Sequence, residues 1–250
     1  MRPLYGLIGK TLTHSFSPAY FRKKFARQNI DATYEAFPIP SITELPALLS
    51  ANPGLAGFNV TIPYKEEVIR YLDVLDNAAA HIGAVNCVVL TDGMKKGYNT
   101  DAAAFEHSLN PLLTSRHTQA LILGTGGSSK TVAHVLLQLG IPYTKVSQTA
   151  KEGVLTYNDL TPQLISDHKL IVNTTPVGLY PNVDDAPAIP YEALGSHHLL
   201  YDLIYNPEET KFLQLGKQRG AAIKNGFEML QLQAEGSWAL WSAGIATKEE

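Results

Sequence analysis

Lys65 closes the stretch Asn59-Val60-Thr61-Ile62-Pro63-Tyr64-Lys65, and Asp101 closes Asn99-Thr100-Asp101. Each ionisable side chain sits among small hydrogen-bonding groups, one cationic and one anionic. Proton transfer near neutral pH needs a group whose pKa its surroundings can move, and a Lys–Asp pair can supply one. Downstream, the apolar run Leu121-Ile122-Leu123 enters Gly124-Thr125-Gly126-Gly127, a strand leading into a glycine turn that suits a dinucleotide. A proton-donating pair ahead of a nucleotide-binding unit points to hydride chemistry.

The glycine turn continues into Ser128-Ser129, so Ser129 takes the place of the third glycine in G-x-G-x-x-G. The physics survives that change. Gly124 and Gly126 allow a tight turn and close backbone approach, and free N–H groups at Gly127 and Ser128 attract a pyrophosphate. The next predicted strand ends in Ser147-Gln148-Thr149-Ala150-Lys151. An acid there would bind a ribose 2′-hydroxyl, and none is present. Two hydroxyls, an amide and a lysine suit a 2′-phosphate, which predicts NADP(H).

Strands are predicted over 4–8, 33–37, 57–60 and 85–90, with a helix starting at Ser17-Pro18, Ser17 as its N-cap and Pro18 at its first position. A second unit alternates again: strands over 120–123, 143–147, 169–172 and 199–203, and helices over 128–139 and 207–216. The proline-rich stretch 173–191 reads as loop. This alternation favours parallel sheets covered by helices, an α/β fold in two domains. Lys65 falls near the start of a predicted helix, and Asp101 is a candidate N-cap for the next. Near the C-terminus, Phe227, Leu230, Ala234, Trp238 and Trp241 form one apolar stripe, with Met229 and Gln233 on a second line.

Taken in order, these segments resemble the shikimate dehydrogenase family over nearly the whole chain. The resemblance rests on His14-Ser15-Phe16-Ser17-Pro18, Asn59 to Lys65, Gly83-Ala84-Val85-Asn86, Asn99-Thr100-Asp101 and the glycine turn. It continues through Asn173-Thr174-Thr175-Pro176, Tyr201-Asp202-Leu203-Ile204-Tyr205 and Asn225-Gly226-Phe227-Glu228-Met229-Leu230-Gln231-Leu232-Gln233-Ala234. It implies NADP-linked interconversion of 3-dehydroshikimate and shikimate, an aromatic amino acid and chorismate pathway step. It also implies an N-terminal α/β substrate domain (1–101, with helix 226–250 returning to it) and a Rossmann-type domain (102–225).

By the same resemblance, Lys65 and Asp101 form the catalytic pair and Ser15 and Ser17 hold the substrate carboxylate. Thr61, Asn86 and Gln233 hold ring hydroxyls. The cofactor falls to Gly124, Gly126, Gly127, Ser128, Ser147, Gln148, Thr149, Lys151, Thr174, Ile204, Gly226 and Met229. Two positions depart from the family pattern. Gln148 replaces an Arg that many members carry, leaving Lys151 to provide the charge. Glu228 replaces a Gly at the start of the last helix, where its carboxylate either favours the helix dipole or alters a hinge. His14 reads as a loop histidine. The alternatives are a quinate/shikimate dehydrogenase of broader cofactor use and a non-catalytic nucleotide or metabolite sensor.

Composition sets the remaining bounds. With 45% apolar and 17% charged residues, the chain reads as an ordinary globular protein. A formal charge of −3 gives no electrostatic reason to expect nucleic acid or an anionic membrane. Cys87 is the only cysteine, so no intramolecular disulfide can form, and a cytoplasmic location is expected. No spaced cluster of metal ligands stands out, so no metal is assigned. The expected partners are the small-molecule substrate and cofactor, on a monomer or homodimer.

Overall fold

The computed structural model describes residues 2–13 and 15–246. His14 and the last residues of the 226–250 segment lie outside the described residues. The chain divides into two compact units: one holds the described chain up to Thr100 and from Gln233 onward, the other Asp101–Leu232.

In the first unit the elements are β1 (Leu4–Gly9), α1 (Phe16–Gln28), β2 (Thr33–Pro38), α2 (Leu45–Ala51), β3 (Leu55–Val60), β4 (Val74–Leu75), α3 (Asn77–Ile82), β5 (Cys87–Thr91) and β6 (Met94–Tyr98). They form a six-stranded sheet in the order β2-β1-β3-β5-β6-β4. This sheet is mixed, which corrects the expectation of parallel pairing throughout: β5 runs antiparallel to both β3 and β6. The cause is local. Thr91 pairs with Met94 across Asp92-Gly93, both at positive φ (52° and 79°), the backbone a two-residue type I′ hairpin needs.

The chain leaves the first unit inside α4 (Thr100–Leu109). The second unit then adds β7 (Ala120–Leu123), α5 (Gly127–Gln138), β8 (Tyr143–Ser147), β9 (Leu155–Thr156), α6 (Pro162–Asp167), β10 (Leu170–Asn173), β11 (Leu199–Asp202), α7 (Lys211–Gln218) and β12 (Ala222–Lys224). Its sheet order is β12-β11-β10-β7-β8-β9, with every pair parallel. Counted within the unit this is the doubly wound order 3-2-1-4-5-6, whose switch point lies between β7 and β10. All four residues of β7, β10 and β11 are buried, as parallel strands covered on both faces should be. The helix expected over 207–216 instead spans Lys211–Gln218, because Thr210 caps it by accepting from the Leu213 amide.

The last helix, α8 (Phe227–Ala246), opens in the second unit and ends in the first. Its later turns cover one face of the mixed sheet with α1. Trp241 is buried and donates from Nε1 to the Val88 carbonyl at 3.0 Å. Its ring stacks on Tyr5, and Phe21 stacks on Tyr34, with centroids 4.8 and 4.5 Å apart. Such pairs add about 0.5–1.5 kcal/mol each beyond area burial. Gly57 lies beneath the indole, and a Cβ there would overlap Trp241 Nε1 and stand 2.8 Å from the Val88 carbonyl. The predicted apolar stripe fails at its first member: Phe227 is exposed, whereas Met229, Gln233, Ala234, Ser237 and Trp241 are buried.

Candidate functional site

In the first unit, five of the six candidate residues lie on segments joined by backbone or side-chain hydrogen bonds, with Asn86 at the centre. Its side-chain oxygen accepts from the Thr100 amide at 2.7 Å; its Nδ2 donates to Thr100 Oγ1 at 2.9 Å and reaches Gln233 Oε1 at 3.4 Å. Its backbone carbonyl accepts from the Val60 amide and from Asn59 Nδ2. Asn59 also donates to Ser237 Oγ at 2.8 Å and accepts from the Tyr34 phenol at 2.9 Å. Tyr34 in turn bonds the Ser17 hydroxyl, and burial holds the phenol well above its ordinary pKa. The backbone carbonyl of Lys65 accepts from Val85 at 2.8 Å, and Asn99 Nδ2 donates to Ala84 at 2.9 Å. Thr61 is fixed by its amide on the Ile8 carbonyl and by accepting from Tyr64.

Most of these polar groups are buried: Asn59, Asn86, Asn99, Thr100, Gln233 and Ser237. Buried amides persist only when their donors and acceptors are matched, and a matched network fixes rotamers. Ser15, Thr61 and Lys65 keep partial exposure.

Three local expectations are corrected here. Helix α1 begins at Phe16, so Ser15 holds the N-cap position, with no side-chain cap bond, and Ser17 lies in the first turn facing Tyr34. Lys65 lies in a turn ahead of a 3-10 segment, Glu67–Tyr71, not at an α-helix start. Asp101 is buried within the first turn of α4 instead of capping it, where its carboxylate suits the positive helix end. It follows Thr100, whose position the Asn86 side chain fixes.

In the second unit, the cofactor candidates gather at the carboxyl ends of the strands. Gly124 has φ 114°, and a Cβ on it would stand 2.5 Å from Thr174 Oγ1. Thr174, following β10, donates from both its amide and its hydroxyl to the Leu123 carbonyl, at 2.9 and 2.7 Å. Glycine is therefore required where the turns after β7 and β10 meet, at the switch point. A Cβ on Gly126 would meet nothing within 4 Å, and Gly126 caps α5 with no side chain. Ser128 lies in the first turn of α5. Ser129 is fully buried, with no partner for its hydroxyl among the described residues; so small a residue permits close helix–strand packing.

Ser147 ends β8 and accepts from the Thr149 amide at 3.2 Å. Gln148, Thr149 and Lys151 are exposed, and Lys151 Nζ donates to Thr125 Oγ1 at 2.9 Å, bringing its charge to the glycine turn. A cavity of about 300 Å³ adjoins, lined by Gln148, Tyr157, Val177 and Pro187. After β11, Ile204 is buried and its carbonyl accepts from Gly226 at 3.0 Å. A Cβ on Gly226 would overlap the Leu203 carbonyl oxygen. Met229 is buried one turn further on, and Glu228 pairs with Lys224 on the exposed side of the same turn. An open glycine turn at a switch point, a free helix N-terminus and a lysine beside it fit a phosphorylated dinucleotide.

The sequence reading missed Tyr34, Ser237 and the pair Asn173–Asp202. Asn173 and Asp202 had a signal: each is the polar terminus of an otherwise apolar parallel strand. Asp202 is fully buried, and burial pushes its pKa up to about 6 against the opposing hydrogen bonds from Thr210, Ile204 and Asn173. Among the described residues no group of three or more His, Cys, Asp or Glu side chains could hold a metal ion, and no helix is long and apolar enough to cross a membrane.

Together, a mixed-sheet unit carrying a buried polar network and a doubly wound parallel unit with a glycine turn define a two-domain α/β protein of dinucleotide-dependent type. The chain belongs to the shikimate dehydrogenase family. A family model described as the shikimate dehydrogenase substrate binding domain matches residues 7–88. A shikimate dehydrogenase (NADP(+)) from Clostridium beijerinckii is 38% identical over 247 residues, spanning 95% of this chain and 91% of that protein. The structure of shikimate 5-dehydrogenase from Thermus thermophilus in complex with NADP(H) and shikimate superposes with a TM-score of 0.86 at 28% identity, covering 96% of this chain and 94% of that one. Quinate dehydrogenase from Corynebacterium glutamicum in complex with NAD gives a TM-score of 0.85 at 26% identity, covering 96% and 94%.

Proposed function

We propose that this chain catalyses the reversible NADP-linked reduction of 3-dehydroshikimate to shikimate, an oxidoreductase step toward chorismate and the aromatic amino acids. The observation that carries the reading is the network around Asn86. It joins the Asn59–Lys65 stretch, the Gly83–Asn86 stretch, Thr100 and Gln233 into one matched set of polar groups. Family membership supports the same reading. The first unit is read as the substrate-binding domain and the second as the NADP-binding domain, in a cytoplasmic enzyme acting as a monomer or homodimer.

In this reading Ser15 and Ser17 receive the substrate carboxylate, and Thr61, Asn86 and Gln233 receive ring hydroxyls. The bound nicotinamide cofactor supplies or accepts the hydride. Lys65, with Asp101 as its partner in the catalytic pair, gives its proton to the ketone oxygen. Negative charge grows on that oxygen as the carbonyl is reduced, so the ammonium stabilises the transition state more than the ground state. The glycine turn and the N-terminus of α5 receive the pyrophosphate, Lys151 with Ser147, Gln148 and Thr149 the 2′-phosphate. Thr174, Ile204, Gly226 and Met229 lie near the cofactor, the last three closest to the nicotinamide.

General acid assistance supplies roughly 10²–10⁴-fold. Lys65→Ala should therefore lower kcat for shikimate oxidation by at least about 100-fold while substrate affinity stays within about tenfold. A near-normal kcat would remove Lys65 from the chemistry. A second reading, a quinate/shikimate dehydrogenase using either nicotinamide cofactor, is favoured by one observation: the exposed side chain after β8 is Gln148, which carries no charge for a 2′-phosphate.

A further inference from the structure

Asp202 ends β11 fully buried, and no step of the proposed reaction uses it. Its carboxylate takes three donors. Asn173 Nδ2 and the Ile204 amide both reach Oδ1 at 3.0 Å, and the Thr210 hydroxyl reaches Oδ2 at 2.6 Å. Two short chains of hydrogen bonds run from it to the carboxyl end of the sheet. Along the first, Asn173 Oδ1 accepts from the amide and hydroxyl of Thr175, at 3.0 and 2.6 Å. Thr174 between them is thereby turned onto Leu123 and against Gly124. Along the second, the Ile204 carbonyl accepts from the Gly226 amide at the entry to α8.

We infer that Asp202 is a positioning residue for the nicotinamide cofactor: its carboxylate sets the turns that carry Thr174 and Ile204, and through Ile204 sets Gly226, without touching the cofactor itself. The inference rests on the NADP reading above. An ionised carboxylate only accepts, so all three donors are satisfied together. A hydrogen bond to a charged group is worth more than a neutral one, so the turns are held more firmly than an amide could hold them. Thr210 lies on the other side of the carboxylate, where it caps α7 and leads to no candidate cofactor residue.

The test compares Asp202→Asn, Asn173→Leu and Thr210→Val with the wild type by calorimetric titration with NADP⁺, melting temperature, and separate KM values for NADP⁺ and shikimate. The two former variants should raise the Kd and KM for NADP⁺ about tenfold, the scale on which one charge-assisted bond is lost, and leave the shikimate KM within about twofold. Thr210→Val should lower the melting temperature yet leave NADP⁺ affinity within about twofold, which separates positioning from mere support of the fold. Unchanged NADP⁺ affinity in Asp202→Asn and Asn173→Leu would overturn the inference, as would an equal shift in Thr210→Val. A wild type that binds no NADP⁺ would overturn the functional reading and the inference with it.

Discussion

Deleting the Asn86 side chain tests the polar centre of the first unit. In Asn86→Ala the Thr100 amide, buried at the start of α4, loses the acceptor it now reaches at 2.7 Å. Thr100 Oγ1 loses a donor at 2.9 Å but keeps its bond to the Gln233 carbonyl at 3.1 Å. A buried donor left unsatisfied costs about 1–3 kcal/mol, and the small void left by the amide adds about 1 kcal/mol. The expected loss is about 2–4 kcal/mol, read as a lower urea midpoint at unchanged m-value. Thr100→Val keeps the amide bond and removes only the hydroxyl, so about 1–2 kcal/mol is expected. Because the two residues share bonds, the double variant should cost about 1 kcal/mol less than the sum. In the proposed chemistry Asn86 also receives a ring hydroxyl, so Asn86→Ala should raise the shikimate KM about tenfold. A midpoint within error of wild type, or a strictly additive cycle, would refute the reasoning.

Other perturbations have equally defined outcomes. Gly57→Ala would force Trp241 off its bond to Val88 and its stack on Tyr5; overpacking and the lost bond should cost about 2–4 kcal/mol in urea unfolding. His117 and His198 are buried and accept backbone N–H bonds at Nδ1 from Thr114 and Gly195, at 2.9 and 3.0 Å. Burial holds both pKa values below the ordinary 6.5, for His117 with added repulsion from His198. Their stability contribution is full above pH 6.5 and is lost as pH falls from there through the folded values. Asp202 acts oppositely, its raised pKa favouring the fold at low pH and its contribution fading as pH rises through about 6. The difference between wild type and His198→Gln is therefore the readout: it should shrink between pH 7.5 and 5.5, and a pH-independent difference would contradict the assignment. Lys151→Ala should raise the KM for NADP⁺ about tenfold while leaving that for NAD⁺ within about twofold; equal shifts would take Lys151 off the 2′-phosphate.

What the sequence makes legible follows from the range of the forces involved. The β7–turn–α5 unit is readable because a parallel-strand apolar run, a glycine turn and an amphipathic helix are all local patterns. The Asp92-Gly93 turn was equally local and would have revealed the antiparallel hairpin. Ser17 was misread as a cap because Ser-Pro is a common helix opening, yet Phe16 already begins α1 and Ser17 turns inward to Tyr34. Tyr34 and Ser237 carry no local signal of their roles. Their partners lie on other strands and helices, as in the bond from Asn59 to Ser237, and only tertiary folding creates them. The α8 stripe failed at Phe227 because the buried line runs through Met229, Gln233 and Ser237, a polar-containing face that apolar periodicity does not favour.

The central claim is tested most directly by following reduced-nicotinamide absorbance with the purified protein, crossing shikimate and quinate against NADP⁺ and NAD⁺. Fast reduction confined to shikimate with NADP⁺ is the predicted result. Efficient turnover with NAD⁺ would contradict the cofactor specificity read from the segment after β8, efficient turnover of quinate would contradict the substrate reading, and no turnover in any combination would contradict the proposed reaction itself.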